Sequence, residues 1–304
     1  MRTVIIELFK SGYMKIIWRL IVIFQITVSL GCNIDTPVDK SKLLGDDYRL
    51  FQNTPIWGLA KAVRKGDTIR IKSTIANGED PNFADPRFGG TLLMMAIRNN
   101  SYISVLALLE HGANPNQGNV YRGTTAMHYA AENDDPKYLK LLLSYKGNPN
   151  AIEAPPKRDG DGLSETVLNS AISFSGQNVM QKVELLVGAG ADVNSLAFNT
   201  EVKLPIADAI MNDKMDVLLY LLKHGADYHK VLYKTVDGTD VYILKALRAC
   251  LFDLGSAAYQ KKLEVIAFLK SKGLDYYQEP IPDYMIKDIK KKYPDRWKLY
   301  VEKY

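Results

Sequence analysis

Asn82, Asn116 and Asn150 each close the same short phrase, and consecutive copies stand 34 residues apart. The phrases read Gly78-Glu79-Asp80-Pro81-Asn82, Gly112-Ala113-Asn114-Pro115-Asn116 and Lys146-Gly147-Asn148-Pro149-Asn150. Two more, Gly190-Ala191-Asp192-Val193-Asn194 and Gly225-Ala226-Asp227-Tyr228-His229, carry the series on with looser spacing. A period of about 33 residues is the signature of stacked helix pairs, each too small to bury its apolar face alone. The beat therefore points to an all-α solenoid, and it moves the functional question from active sites to surfaces.

Each phrase follows an apolar run at helical spacing: Ile103 to Leu109, Tyr138 to Leu143, Val217 to Leu222. Glycine in the phrase can take the left-handed conformation that ends a helix, and the Pro or Asn behind it starts a turn. Upstream lies a shorter, Ala-rich helix, at Met95-Ala96-Ile97, Tyr129-Ala130-Ala131, Ser170-Ala171-Ile172 and Asp208-Ala209-Ile210. Small side chains there let neighbouring helices approach closely.

Opening phrase, Ala pair, leucine run and closing phrase recur in that order, and in this the chain resembles the ankyrin repeat family. The family's Thr-Pro-Leu-His opening survives in degraded form as Thr91-Leu92-Leu93-Met94, Thr125-Ala126-Met127-His128 and Leu204-Pro205-Ile206-Ala207. The resemblance implies an ankyrin-repeat solenoid of about six helix-pair repeats, ending near Asn82, Asn116, Asn150, Asn194, His229 and Tyr277. The repeat domain is expected over 48–279, with Tyr48, Leu50, Phe51, Ile56 and Trp57 closing its first face. Residues 280–304 are expected to form a C-terminal helical cap, because a terminal repeat would otherwise expose its apolar side. The fourth unit is 44 residues long, which places an inserted loop at 151–165.

Residues 1–31 have a different character. Lys10, Lys15 and Arg19 precede the apolar run Leu20-Ile21-Val22-Ile23-Phe24, and Gly31-Cys32 follows. That order reads as a secretory signal, and Leu20 to Leu30 is too short to span a bilayer. Ser29-Leu30-Gly31-Cys32 is similar to a bacterial lipoprotein box, although that family usually has Leu at the place of Ser29. It implies lipidation of Cys32, with 32–47 as a tether to the solenoid. Met14 opens a signal of its own and is an alternative start. An ordinary cleaved signal and an uncleaved anchor stay open beside the lipoprotein reading. With Cys32 lipidated, Cys250 is the remaining thiol, expected as a small core residue in the sixth inner helix.

The formal charge is +5, of which residues 1–31 supply +3, so the remainder is close to neutral. The stretch Lys287 to Lys303 holds seven basic and three acidic residues on a helical apolar pattern, and reads as a cap with a solvated basic face. Nucleic acid is not an expected partner.

The four histidines all have repeat-position explanations. His128 fills the Thr-x-x-His slot, where the family uses it to hydrogen-bond the turn; His111 and His224 precede closing glycines, and His229 replaces a closing Asn. The run Lys157-Arg158-Asp159-Gly160-Asp161-Gly162 lacks the third acid and the Glu of an EF-hand loop, and Asp-Gly is ordinary turn chemistry. No phosphate loop, nucleophile elbow or His-Glu-x-x-His pair occurs. No enzyme activity, cofactor or metal is expected.

A binding face remains. In ankyrin stacks the loop tips and the exposed positions of the inner helices line a concave groove. By repeat position this assigns Arg87, Phe88, Tyr121, Arg122 and Phe198 to the tips. Arg64, Met95, Arg98, Asn99, Tyr129, Glu132, Asn133, Met211 and Asn212 fall on the inner helices. Exposed Phe, Tyr and Arg are the types that dominate interface energetics. The expected protein is a monomer that is lipid-anchored, faces the periplasm, sits in the outer membrane of a bacterial cell envelope and binds another protein. Fold plus anchor resemble immunity proteins that occlude toxins delivered by type VI secretion. An envelope scaffold or stress-protection factor holding an endogenous protein is the second reading.

Overall fold

A computed structural model describes residues 35–153, 164–173, 176–196 and 204–304. Within them six helix pairs follow one another: α1 (Trp57–Lys65) with α2 (Thr68–Ala76), α3 (Leu92–Arg98) with α4 (Tyr102–Glu110), α5 (Ala126–Glu132) with α6 (Lys137–Ser144), α7 (Val167–Ser173) with α8 (Val179–Gly188), α9 (Pro205–Met211) with α10 (Met215–Lys223), and α11 (Ile243–Arg248) with α12 (Ala257–Ser271). Each first helix packs on the first helix of the next pair, and each second helix on the next second helix. The result is a two-layer solenoid with one continuous apolar core.

The sequence sets these helices locally. Thr91 Oγ1 accepts from the amide of Met94 at 3.4 Å and caps α3. Thr125 and His128 form a reciprocal capping box at the start of α5. Thr166 Oγ1 accepts from Asn169 N at 3.0 Å, and Pro205 stands in the first turn of α9. The second helices end at Gly78, Gly112, Gly190, Gly225 and Gly273, all with φ near +90°. In the third copy Lys146 takes the left-handed place at φ +62°. Gly147 behind it is needed for space, since a Cβ would run into the Met127 sulfur and the Leu142 carbonyl.

The closing asparagines explain the beat. Asn82 Nδ2 donates to Gly112 O at 3.0 Å while its Oδ1 accepts from Asn114 N at 2.7 Å. Asn116 repeats this on Lys146 O and Asn148 N, Asn150 on Gly190 O and Asp192 N, and Asn194 on Gly225 O and Asp227 N, all between 2.7 and 3.0 Å. One side chain thus satisfies a donor and an acceptor of the next turn, which only an amide of this length can do. The Asn150 link survives the long fourth unit because the extra residues loop out. Glu153 N donates to Glu165 O at 2.9 Å and Val167 N to Ala151 O at 3.2 Å, pinching the base of the insertion. Residues 154–163, with Asp159 and Asp161, lie outside the described residues.

The sixth unit departs from this plan. His229 replaces the closing Asn, and the pair joins through β1 (Tyr233–Lys234) and β2 (Asp240–Val241), an antiparallel hairpin ahead of α11. Cys250 lies just past α11 and not inside it; it is 6% exposed, and burial pushes its thiol up to about 11. A final hairpin, α13 (Asp283–Lys292) and α14 (Trp297–Lys303), buries Met285, Ile289, Tyr300 and Tyr304 in a separate small cluster. The lysines at 287, 290, 291 and 292 face solvent.

At the other end Tyr48, Leu50, Phe51 and Ile56 are buried and Trp57 is half-buried against the core. From Asp35 onward the segment ahead of α1 is seated on the solenoid. Gln52 Nε2 donates to Thr36 O at 3.0 Å, Trp57 Nε1 to Asp35 Oδ1 at 3.0 Å, and Lys61 forms an ion pair with Asp35 at 3.0 Å. Polar side chains at 49–61 offer partners to a backbone that composition alone marks as loose.

Candidate functional site

The loops before α3 and α5 are built alike. Asp85 Oδ1 accepts from Arg87 N at 3.0 Å and Phe88 N at 2.8 Å. Asn119, 34 residues on, accepts from Tyr121 N at 3.2 Å and Arg122 N at 2.8 Å. Both loops close with a backbone pair, Asp85 N to Gly90 O at 2.8 Å and Asn119 N to Thr124 O at 2.9 Å. A short acceptor side chain at this position thus folds each tip. Another 34 residues on stands Glu153, at the root of the insertion. Its Oε1 accepts from the Thr124 hydroxyl at 2.6 Å and its Oε2 pairs with Arg122 at 3.2 Å.

Between these tips and the helices α3 and α5 lies a cavity of about 430 Å³. It brings together Phe88, Met95, Arg98, Tyr121, Arg122, Tyr129 and Glu132 from the sequence-derived set. Gly45, Gly90, Met94, Asn119, Thr124 and Glu153 complete the lining and were missed by sequence reasoning. Asn119 and Glu153 carried a usable signal, since both fall on the 34-residue beat of Asp85. Gly45 carried none, because its place depends on the docked N-terminal segment.

Several expected surface residues have other duties. Met95 was expected on an exposed position but is 1% exposed, so it floors the cavity rather than offering a contact edge. Arg122 is committed to Glu153, whose side chain is 8% exposed. Arg87 donates to the carbonyls of Lys40 and Leu43, holding the N-terminal segment against the tip before α3. Asn99 and Asn212 each donate to the carbonyl four residues back, at 2.9 Å, and so close their own helices. Asn133 donates to Asn100 Oδ1 at 2.9 Å across the repeat joint. Tyr121, 58% exposed, is available at the cavity edge, while Arg98 lies 5.5 Å over the Tyr129 ring and pairs with Asp46 at 3.6 Å. Arg64 on α1 and Met211 on α9 are exposed but stand away from the cavity, and Phe198 lies outside the described residues.

Electrostatics single out Glu132. Burial, then the neighbouring carboxylates of Glu153 and Glu165, push its carboxyl up to about 7, against the pull of Arg98 and Arg122. His128 behaves oppositely: burial pushes it down to about 4, and as a neutral ring it accepts from Thr125 N at 3.2 Å. Its other nitrogen reaches Glu165 O at 3.2 Å, tying the third unit to the fourth. The described residues contain no cluster of His, Cys, Asp and Glu that could hold a metal ion.

A two-layer stack of helix pairs, joined by asparagine bridges and presenting loop tips over a concave cavity, is an all-α ankyrin-repeat solenoid. The ankyrin-repeat family matches in three copies over residues 59–153, which hold this cavity. No curated protein matches the chain. Ankyrin repeats are modules of protein–protein contact, as a rule without catalysis, and no catalytic family matches here.

Proposed function

We propose that the protein is a lipid-anchored binding module facing the periplasm of a bacterial cell envelope, and that its concave cavity captures a secreted toxin. The cavity carries this reading: seven residues selected by repeat position converge on one recess with aromatic, arginine and carboxylate chemistry. Rigidity supports occlusion as the mechanism, because side-chain bridges at every joint from Asn82 to Asp227 hold the tips at fixed spacing. The signal-like residues 1–31 and Cys32 support the anchor, and the membrane under attack would then concentrate its defender.

Tagged protein purified from native membranes tests the reading. The wild type should bring down a secreted enzyme and protect cells that express it, and Tyr121→Ala should lose both while keeping its melting temperature. Recovery of an endogenous envelope protein would replace immunity by scaffolding. Capture that ignores Tyr121→Ala and Arg98→Ala would move the site off the cavity. Cys32→Ser should release the protein from the membrane fraction; unchanged fractionation removes the lipid anchor.

A further inference from the structure

We infer that the concave cavity takes one cationic side chain, a lysine or arginine presented by the partner, with Glu132 as its counter-ion. The inference rests on the reading of the cavity as the partner site.

The charges of the lining decide its sign. Arg122 is paired with Glu153 at 3.2 Å, and the other oxygen of Glu153 is taken by Thr124 at 2.6 Å. Arg98 pairs with Asp46 at 3.6 Å. Glu132, half-buried at the end of α5, makes no hydrogen bond or ion pair among the described residues. It is the one charged group of the lining left without a partner there. A half-buried carboxylate without a partner carries a desolvation cost that an incoming cation removes. An anion would meet arginines already engaged and carboxylates that repel it.

Space and surface agree. The recess, about 430 Å³, has room for a long side chain. Tyr121 and Tyr129 border it, and Tyr129 already holds one guanidinium, that of Arg98, 5.5 Å over its ring, so the lining suits cations. The partner's side chain would pass between the tips before α3 and α5 and end against the carboxylate.

Proton linkage gives the inference a signature. The charged groups facing Glu132 are Arg98 from α3, Arg122 from the tip before α5, Glu153 and Glu165 from the two stems of the insertion, and Lys182 from α8. With the carboxyl held at about 7, a cation should bind about tenfold more tightly at pH 8 than at pH 6, following the ionised fraction. The folded value lies above the ordinary 4.5, so ionised Glu132 weakens the fold from pH 4.5 upward and fully above 7. Glu132→Gln removes that burden and should fold at pH 8 at least as well as the wild type.

The test uses protein labelled with ¹³C at its methionine methyl groups, because Met94 and Met95 line the cavity. N-acetyl-arginine amide and N-acetyl-lysine amide should shift these two signals saturably, about tenfold more tightly at pH 8 than at pH 6. Glu132→Gln should abolish both the affinity and its pH dependence, and N-acetyl-glutamate amide should leave the signals in place. Equal binding by Glu132→Gln, preference for the glutamate probe, or no shift with either cation overturns the inference. If the cations fail while Tyr121→Ala still loses partner capture, the cavity remains the partner site and only its cationic occupant is wrong.

Discussion

The first five repeats and the sixth are closed by different chemistry. From Asn82 to Asp227 each joint carries the same amide bridge to the next turn, a local and periodic device. At the last joint His229 offers no such bridge, and closure passes to buried cations in a cage of rings. Arg248, 4% exposed, donates to Tyr304 O at 2.9 Å and Tyr276 O at 3.0 Å and lies 3.9 Å over the Tyr276 ring. Lys262, 1% exposed, donates to Cys250 O at 3.0 Å and sits 4.0 Å over the Tyr304 ring. A repeated joint spreads its stabilisation over many equal contacts, whereas the cage concentrates it in a few residues far apart in sequence. Regular repeats can therefore vary at their tips without losing the stack, and the end of the stack cannot vary so freely.

The comparison can be broken in a graded way. Tyr304→Ala removes a ring that is 2% exposed, and should cost about 4 kcal/mol. Hydrogen exchange should then accelerate over 243–304 and stay unchanged over 57–150; a global loss would mean the two regions unfold as one. Leu142→Ala, at a side chain with 0% exposure, should cost about 3 kcal/mol in urea unfolding and open exchange on both sides of α6. Asn116→Ala should cost about 1–2 kcal/mol, for two bridging hydrogen bonds at a largely exposed joint. If that cost is nil, the bridges mark the beat without stabilising it. Lys146→Gly should instead gain about 1 kcal/mol, since glycine relieves a left-handed lysine.

Glu132 and Lys262 should also answer pH in opposite senses. Glu132, raised to about 7, contributes a loss of stability as pH climbs from 4.5 to 7, and His128, lowered to about 4, contributes a gain between 4 and 6.5, so the loss is read as the difference between wild type and Glu132→Gln. Burial, reinforced by the nearby Arg248 charge, pushes Lys262 down to about 7 from the ordinary 10.5. There the unfolded chain binds the extra proton, so the C-terminal region should gain stability as pH rises from 7 to 9, above which the raised Cys250 thiol acts in the opposite sense. Exchange measured over 243–304 across that range checks it, and Lys262→Met should flatten the response.

Much of the architecture was legible in the sequence. The 34-residue period, the threonine caps and the closing glycines are local signals, and they placed six helix pairs and the buried leucines of α4, α6 and α10. The tips were legible as well, because Asp85, Asn119 and Glu153 keep the same beat. Position alone does not say what each side chain at the site does. Met95 and Arg122 stand at surface positions of the repeat, yet one is covered by packing and the other is claimed by a carboxylate from the next unit. The docking of 35–47 and the cage around Arg248 were not legible, since they depend on contacts between residues up to 56 apart that follow no period.

By itself, then, the sequence determined what short-range hydrogen bonding and helical periodicity can encode: a stack of helix pairs, its joints, and the side on which tips project. Tertiary structure decided which charges find partners. Ion pairing depends on distances of a few ångströms between units, and a linear pattern does not carry those distances. That is why Glu132 looked like one polar residue among many in the sequence, and stands alone among the charges of the folded cavity.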